Sequence, residues 1–295
     1  MHRCTACPRN CGIDRDTHRG YCGQGNTFRI ARAALHMWEE PCISGTRGSG
    51  TVFFSGCNLG CVFCQNYRVS HRGQGVPISE DELIQSMLAL QEAGAHNVNL
   101  VTPTHYAEML VPVLEKIKPQ LHIPVVYNTG GYEKIETLEL LAPYVDVWMP
   151  DFKFGSAQLA LDYAGAADYP EIAARAIAKM YELAGEVQFD GEGIMTRGVL
   201  VRHLVLPGCR KDSMAVIDRL AQIVPVQKIR LSLMSQYTPE FAQDAPFANL
   251  HRRVTSFEYA SVMERAEKLG FVGYMQQRES ATVKYTPDFM GEENM

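Results

Sequence analysis

The chain carries nine cysteines, and seven of them fall into two spaced groups. The central group is Cys57, Cys61 and Cys64, inside Phe53-Phe54-Ser55-Gly56-Cys57-Asn58-Leu59-Gly60-Cys61-Val62-Phe63-Cys64-Gln65-Asn66. Three thiolates on one loop can hold three irons of a cubane cluster, whose full ligation takes four. The missing ligand leaves one iron open, as catalytic metal sites keep a free position. Gly56 and Gly60 let such a loop curl. The same spacing also fits zinc completed by a distant His or Cys, or a loop with incidental cysteines. The first group is Cys4, Cys7, Cys11 and Cys22, with Pro8, Gly12, Gly20 and Gly23 suited to tight turns. Four soft ligands in so short a span fit tetrahedral zinc or a second iron–sulfur cluster, and spacing does not choose. Cys42 and Cys209 stand apart and read as small buried apolar residues.

Cysteines grouped in this way point to metal binding in a reducing compartment. The start, Met1-His2-Arg3-Cys4, shows no apolar h-region of a signal peptide, so a cytoplasmic location is expected. No apolar run approaches a membrane span. A formal net charge of −5 gives no sign of a nucleic-acid surface, which would want a basic patch. With 295 residues, 46% of them hydrophobic, the chain can fill the core of one large domain with a small appendage.

The elements that must position the central cysteines begin near residue 51. Residues 1 to 48 read as a Cys-rich module and connecting loop. Residues 49–295 then alternate short β-branched runs with amphipathic stretches. Strands are expected at Thr51–Ser55, Val98–Val101, Val125–Tyr127, Val145–Met149, Val199–Val205 and Lys228–Met234. Helices are expected at Glu80–Ala93, Tyr106–Ile117, Lys134–Leu141, Pro170–Ala184, Ser213–Val224 and Phe257–Leu269. Ser79 followed by Glu82 fits a capping box. Six strands alternating with six helices argue for parallel βα units, too few to close a barrel. The fold class is α/β: a partial, open (β/α)6 TIM-like barrel with a small Cys-rich amino-terminal metal-binding module. Its site belongs at the C-terminal ends of the strands. The polar tail Met290–Met295 is expected to fray.

The C-x3-C-x2-C loop resembles the signature of the radical S-adenosylmethionine superfamily, and the likeness extends well beyond it. Leu35-His36-Met37-Trp38-Glu39-Glu40-Pro41, Gly48-Ser49-Gly50, Asn99-Leu100-Val101-Thr102-Pro103-Thr104-His105, Tyr127-Asn128-Thr129-Gly130, Met149-Pro150-Asp151-Phe152-Lys153, Arg202-His203-Leu204-Val205-Leu206-Pro207-Gly208 and Met234-Ser235-Gln236-Tyr237 all take part. The chain looks like the activating-enzyme side of that superfamily, and most like its PflX branch, named for likeness to pyruvate formate-lyase activating enzyme. The resemblance implies a [4Fe-4S] cluster and S-adenosylmethionine as cofactors. It implies reductive cleavage to a 5′-deoxyadenosyl radical that abstracts a hydrogen atom, with an electron donor such as flavodoxin or ferredoxin. It also implies a protein substrate, a glycine in another chain.

The resemblance carries over to particular positions. Related enzymes end the second strand in a Gly-Gly-Glu type motif that faces the methionyl amine. This chain departs from it with Thr102 and Thr104, whose hydroxyls and local carbonyls can accept instead. Asn128 leads the turn after the third strand. Asp151 and Lys153 share one side of the fourth strand's end and match the family's Asp-x-Lys near the cofactor's ribose and carboxylate. Arg202 can bind a carboxylate or pair with Asp151, and His203 can meet ribose or substrate. The competing functions are radical modification of another peptide or of a small molecule and, in a different class, a non-catalytic iron–sulfur or zinc scaffold.

Overall fold

The computed structural model describes residues 3–275, so the tail Met290–Met295 lies outside the described residues. Seven strands run parallel: β2 (Ser49–Phe54), β4 (Val98–Val101), β5 (Val125–Thr129), β6 (Val147–Pro150), β8 (Met195–Leu204), β9 (Arg230–Met234) and β10 (Gly273–Met275). Three further strands are antiparallel: β1 (Phe28–His36) on β2, β3 (Val76–Ile78) on β1, and β7 (Gln188–Phe189) on β8. The sheet order, β10-β9-β8-β6-β5-β4-β2-β1-β3, does not return on itself. The result is the open, TIM-like partial barrel that the alternation implies.

Six of the parallel strands are the expected ones. β10 continues their pattern at one edge. β1 rises within the first 48 residues, where a loop is expected, because Phe28-Arg29-Ile30-Ala31-Arg32 gains its order from the β2 ladder rather than from its own composition. That ladder crosses the 48/49 division.

Helices cover one face of the sheet. They are α3 (Glu80–Glu92), α4 (Ala107–Ile117), α5 (Ile135–Leu141), α6 (Ala157–Ala164), α7 (Tyr169–Ala184), α8 (Arg210–Ile223) and α9 (Ser256–Lys268). α3 opens on the Ser79–Glu82 capping box. The strand positions Val52, Leu100, Tyr127, Trp148, Val201 and Leu233 point toward these helices. The alternate positions face the barrel lumen. A short helix, α1 (Pro41–Ser44), enters that lumen, and its Cys42 and Ile43 pack on Val126, Val147, Met149, Met195 and Leu200. Asn97 Nδ2 donates to the Ile43 carbonyl at 2.8 Å and fastens the plug. Above this apolar floor the lumen turns polar.

Candidate functional site

Residues at the C-terminal ends of the parallel strands and on the loop after β2 line a cavity of about 250 Å³. Cys57, Cys61 and Cys64 line it together with Thr102, Asn128, Asp151, Lys153, Arg202 and Glu39. Two open clefts on the outer surface, one at Arg15 and Arg29 and one at Arg210 and Phe257, hold no cysteine trio.

The cysteine loop gets its shape from close backbone packing. Gly56 has φ +86°, and a Cβ there would stand 2.5 Å from the Cys22 carbonyl. Gly60 lies so close to Tyr21 that a Cβ would stand 2.8 Å from its hydroxyl. Burial raises all three thiol pKa values, Cys61 to about 12, and the charges of Cys61 and Cys64 add to the rise at Cys57, as that of Cys64 does at Cys61. Thiols of this kind, Cys61 buried and Cys57 and Cys64 half-buried, are poor free acids but good ligands, since a metal replaces their protons. Cys57 Sγ accepts the Leu59 amide at 3.3 Å, and Cys64 Sγ lies 3.2 Å from Ser70 Oγ. Ser70 belongs to α2 (Tyr67–Ser70). Among the described residues, no three His, Cys, Asp or Glu side chains converge at single-ion spacing. Three cysteines lining one cavity offer a four-iron cluster three of the four protein ligands that full cysteine ligation takes.

A charged layer lies in the lumen with these cysteines. Arg202 Nε donates to Asp151 Oδ1 at 2.9 Å, its Nη1 to Glu39 Oε2 at 3.2 Å and its Nη2 to Asn128 Oδ1 at 2.6 Å. Lys153 Nζ meets Asp151 Oδ2 at 2.5 Å. Burial pulls the Asp151 carboxyl up, but Arg202 and Lys153 beside it more than offset that and hold it below the usual range. Burial also raises Glu39 and Glu40, and Arg202 offsets only part of that. The pairing of Arg202 with Asp151 is thus realised, and each of its three guanidinium nitrogens donates to a protein group. Buried Glu40 Oε2 and Asn99 Oδ1 have no hydrogen-bond partner.

The expected site residues divide. Thr102, Asn128, Asp151, Lys153 and Arg202 line the cavity with the three cysteines. Thr104 and His203 do not. Thr104 Oγ1 donates to buried Glu133 at 2.5 Å, and His203 Nδ1 donates to the Phe152 carbonyl at 2.6 Å. Both lie on the helix side of the strand ends. Thr102 has φ +58°, a left-handed conformation that a β-branched residue adopts only under constraint. The sequence leaves Glu39 ahead of the first strand, beneath the cluster loop, in the pocket wall or in a solvated loop, without ranking these; α1, folding back into the lumen, puts it in the cavity wall.

The first cysteine group also gathers. The Cys11 and Cys22 sulfurs both flank Gly20, where a Cβ would stand 3.5 and 3.6 Å from them. Burial raises Cys7 to about 12, and the charges of Cys22 and Cys11 add to this. The Tyr21 amide donates to Cys11 Sγ at 3.3 Å.

An open parallel barrel with three cysteines at the end of its first parallel strand is the architecture of a radical-generating iron–sulfur enzyme. The chain matches the Radical SAM superfamily model over residues 51–220, more than half its length, and belongs to that superfamily. Its cofactors are accordingly a [4Fe-4S] cluster and S-adenosylmethionine. The chain is 29% identical over 278 residues to the uncharacterized protein MJ0674 of Methanocaldococcus jannaschii, covering 90% of this chain and 74% of that one. Among solved structures it is similar to SuiB of Streptococcus suis bound to the precursor peptide SuiA, with 13% identity, a TM-score of 0.51, and coverage of 75% of this chain and 46% of that one. It is also similar to a radical SAM methyltransferase from Sphaerobacter thermophilus, with 17% identity, a TM-score of 0.50, and coverage of 77% and 65%. At these identities the likeness is one of fold. The chain spans about half of SuiB and just under two thirds of the methyltransferase. Among the described residues no helix is long and apolar enough to cross a membrane.

Proposed function

We propose that Cys57, Cys61 and Cys64 hold the [4Fe-4S] cluster and that the chain activates a glycyl radical enzyme by taking a hydrogen atom from a protein glycine. The observation that carries the cluster assignment is that three thiols, Cys61 buried and Cys57 and Cys64 half-buried, line one cavity with Asp151, Lys153 and Arg202. When bound, the cluster supplies the electron that breaks a carbon–sulfur bond of S-adenosylmethionine. The chain's own residues do the positioning. Lys153 offers a cation near the cysteines for the cofactor's carboxylate. Arg202 acts through others, orienting Asp151 and Asn128. Thr102 presents polar atoms at the end of β4. Thr104 and His203, if they act, do so from behind the wall, Thr104 through Thr129 and Glu133.

The glycyl reading draws on the stretches shared with activating enzymes, and so does the PflX branch. We assign Cys4, Cys7, Cys11 and Cys22 to a second metal group, zinc or an auxiliary cluster, within an amino-terminal module. An external one-electron donor such as flavodoxin or ferredoxin would act in the cytoplasm. The test is anaerobic reconstitution with iron and sulfide, then reduction with S-adenosylmethionine. Wild type should release 5′-deoxyadenosine and Cys61→Ala none. A glycyl radical signal on an added partner protein supports the activating role. Cofactor cleavage without a protein radical moves the substrate to another peptide or a small molecule. Colourless protein holding only zinc would support a scaffold instead.

A further inference from the structure

Arg9 sits between Cys7 and Cys11, yet its guanidinium leaves the first cysteine group entirely. Its Nε donates to the Asn58 carbonyl at 2.8 Å, between Cys57 and Cys61. Its other nitrogens donate to the Ala164 carbonyl at 2.9 Å and the Gly165 carbonyl at 2.5 Å, at the C-terminal end of α6. A helix C-terminus leaves carbonyls without partners and carries negative partial charge, so a cation is favoured there. The guanidinium lies 3.8 Å from the Tyr21 ring centroid and 5.4 Å from that of Tyr132. Both rings offer the cation a π face within reach. Asn58 is itself buried, and its Nδ2 donates to the Tyr132 carbonyl at 2.7 Å. The residues that touch the central loop are therefore neighbours of the first group's ligands. Arg9 lies between Cys7 and Cys11, and Tyr21 precedes Cys22.

We propose that the four-cysteine module is a brace for the central cysteine loop, and that Arg9 is the positioning residue through which it acts. The inference rests on the assignment of the cluster to Cys57, Cys61 and Cys64 and of a metal to the amino-terminal four. A metal in the module fixes the Cys7–Cys11 turn, the turn aims the Arg9 fork, and the fork pins the main chain between two cluster ligands. Partners outside the ligand shell of this kind change metal affinity by roughly 10–100-fold when removed. Arg9 also brings a positive charge to the loop. A cation beside a cluster favours its reduced form, so Arg9 raises the reduction potential.

The test uses the full chain, reconstituted anaerobically, with three variants. Arg9→Ala removes fork and charge. Arg9→Lys keeps the charge without the fork. Thr137→Val removes another tether of the module, the 3.0 Å bond from Thr137 Oγ1 to the Ala6 carbonyl, which does not reach the loop. The readouts are the rate of iron loss to a chelator, the midpoint potential of the central cluster and the melting temperature. Arg9→Ala should lose iron at least about tenfold faster than wild type and show a more negative potential. Arg9→Lys should restore the potential but not the retention. Thr137→Val should leave both near wild type. Equal retention in Arg9→Ala and wild type overturns the brace, and so does equal loss in Arg9→Ala and Thr137→Val. Should Arg9→Ala not fold, Arg9→Lys decides on retention alone. Wild type that takes up no four-iron cluster, or Cys61→Ala that keeps it, sinks the parent assignment instead.

Discussion

Arg202 joins Glu39, Asp151 and Asn128 through one guanidinium, and the layer depends on it. Arg202→Met would leave Glu39 and Glu40 buried without a cation and Asp151 with Lys153 alone. Breaking a buried pair from one side costs about 3–5 kcal/mol. Chemical denaturation at pH 7 should show a loss of that order, smaller at pH 5, where the carboxyls can take up protons. Thr102 presents the opposite case. Relief of its left-handed backbone by Thr102→Gly should raise stability by about 1 kcal/mol. Loss of the hydroxyl should weaken S-adenosylmethionine binding roughly fivefold by calorimetry. Glu133 is buried and has no cation; it accepts from Thr104, Thr129 and Tyr127, and burial lifts its pKa to about 7 despite those bonds. The folded state then binds a proton more tightly than the unfolded chain. Its contribution is fully present below pH 4.5 and is lost as pH rises through about 7. Glu133→Gln should flatten that slope, melting higher than wild type at pH 8 and level with it at pH 5.

Among the elements, α1 decides where Glu39 goes. Its Ile43 is fully buried against the inward residues of β5, β6 and β8. Ile43→Ala should cost about 2–5 kcal/mol, and the layer above should loosen with it, read as a weakened cofactor affinity. Sequence reasoning offers the pocket wall for Glu39 as one of several unranked places, and what it lacks is the path of α1. Pro41-Cys42-Ile43-Ser44 is too short for a periodic signal, and β1 beside it alternates weakly. By contrast, Val98–Val101 and Val125–Tyr127 show plainly as buried strands, because each is short, apolar and bounded by turn formers, and the second runs on to Thr129 in the fold. Asp151 and Lys153 were legible on one side of the chain, and Phe152, opposite them, is fully buried. Arg9 was not legible as a contact of the loop, since its partners stand 49 and about 155 residues away.

Across the whole molecule, charge is unevenly placed. The first 75 residues hold nine Arg and no Lys, against two Asp and two Glu, within a chain of net charge −5. Arg15, Arg19 and Arg29 line one open cleft of that region. An acidic electron donor should therefore be steered to the end of the molecule that carries the cysteines. Its reduction rate by stopped flow should fall about tenfold or more from low to high salt. A cationic viologen should show no such fall, and equal salt dependence for both would contradict the steering. The central claim remains the open iron on a trio of thiolates. Mössbauer spectroscopy of iron-57-loaded protein tests it most directly. On addition of S-adenosylmethionine, roughly one iron in four should change its isomer shift while the others stay. Four irons unmoved by the cofactor, or a cluster already closed by a fourth protein ligand, would contradict the account.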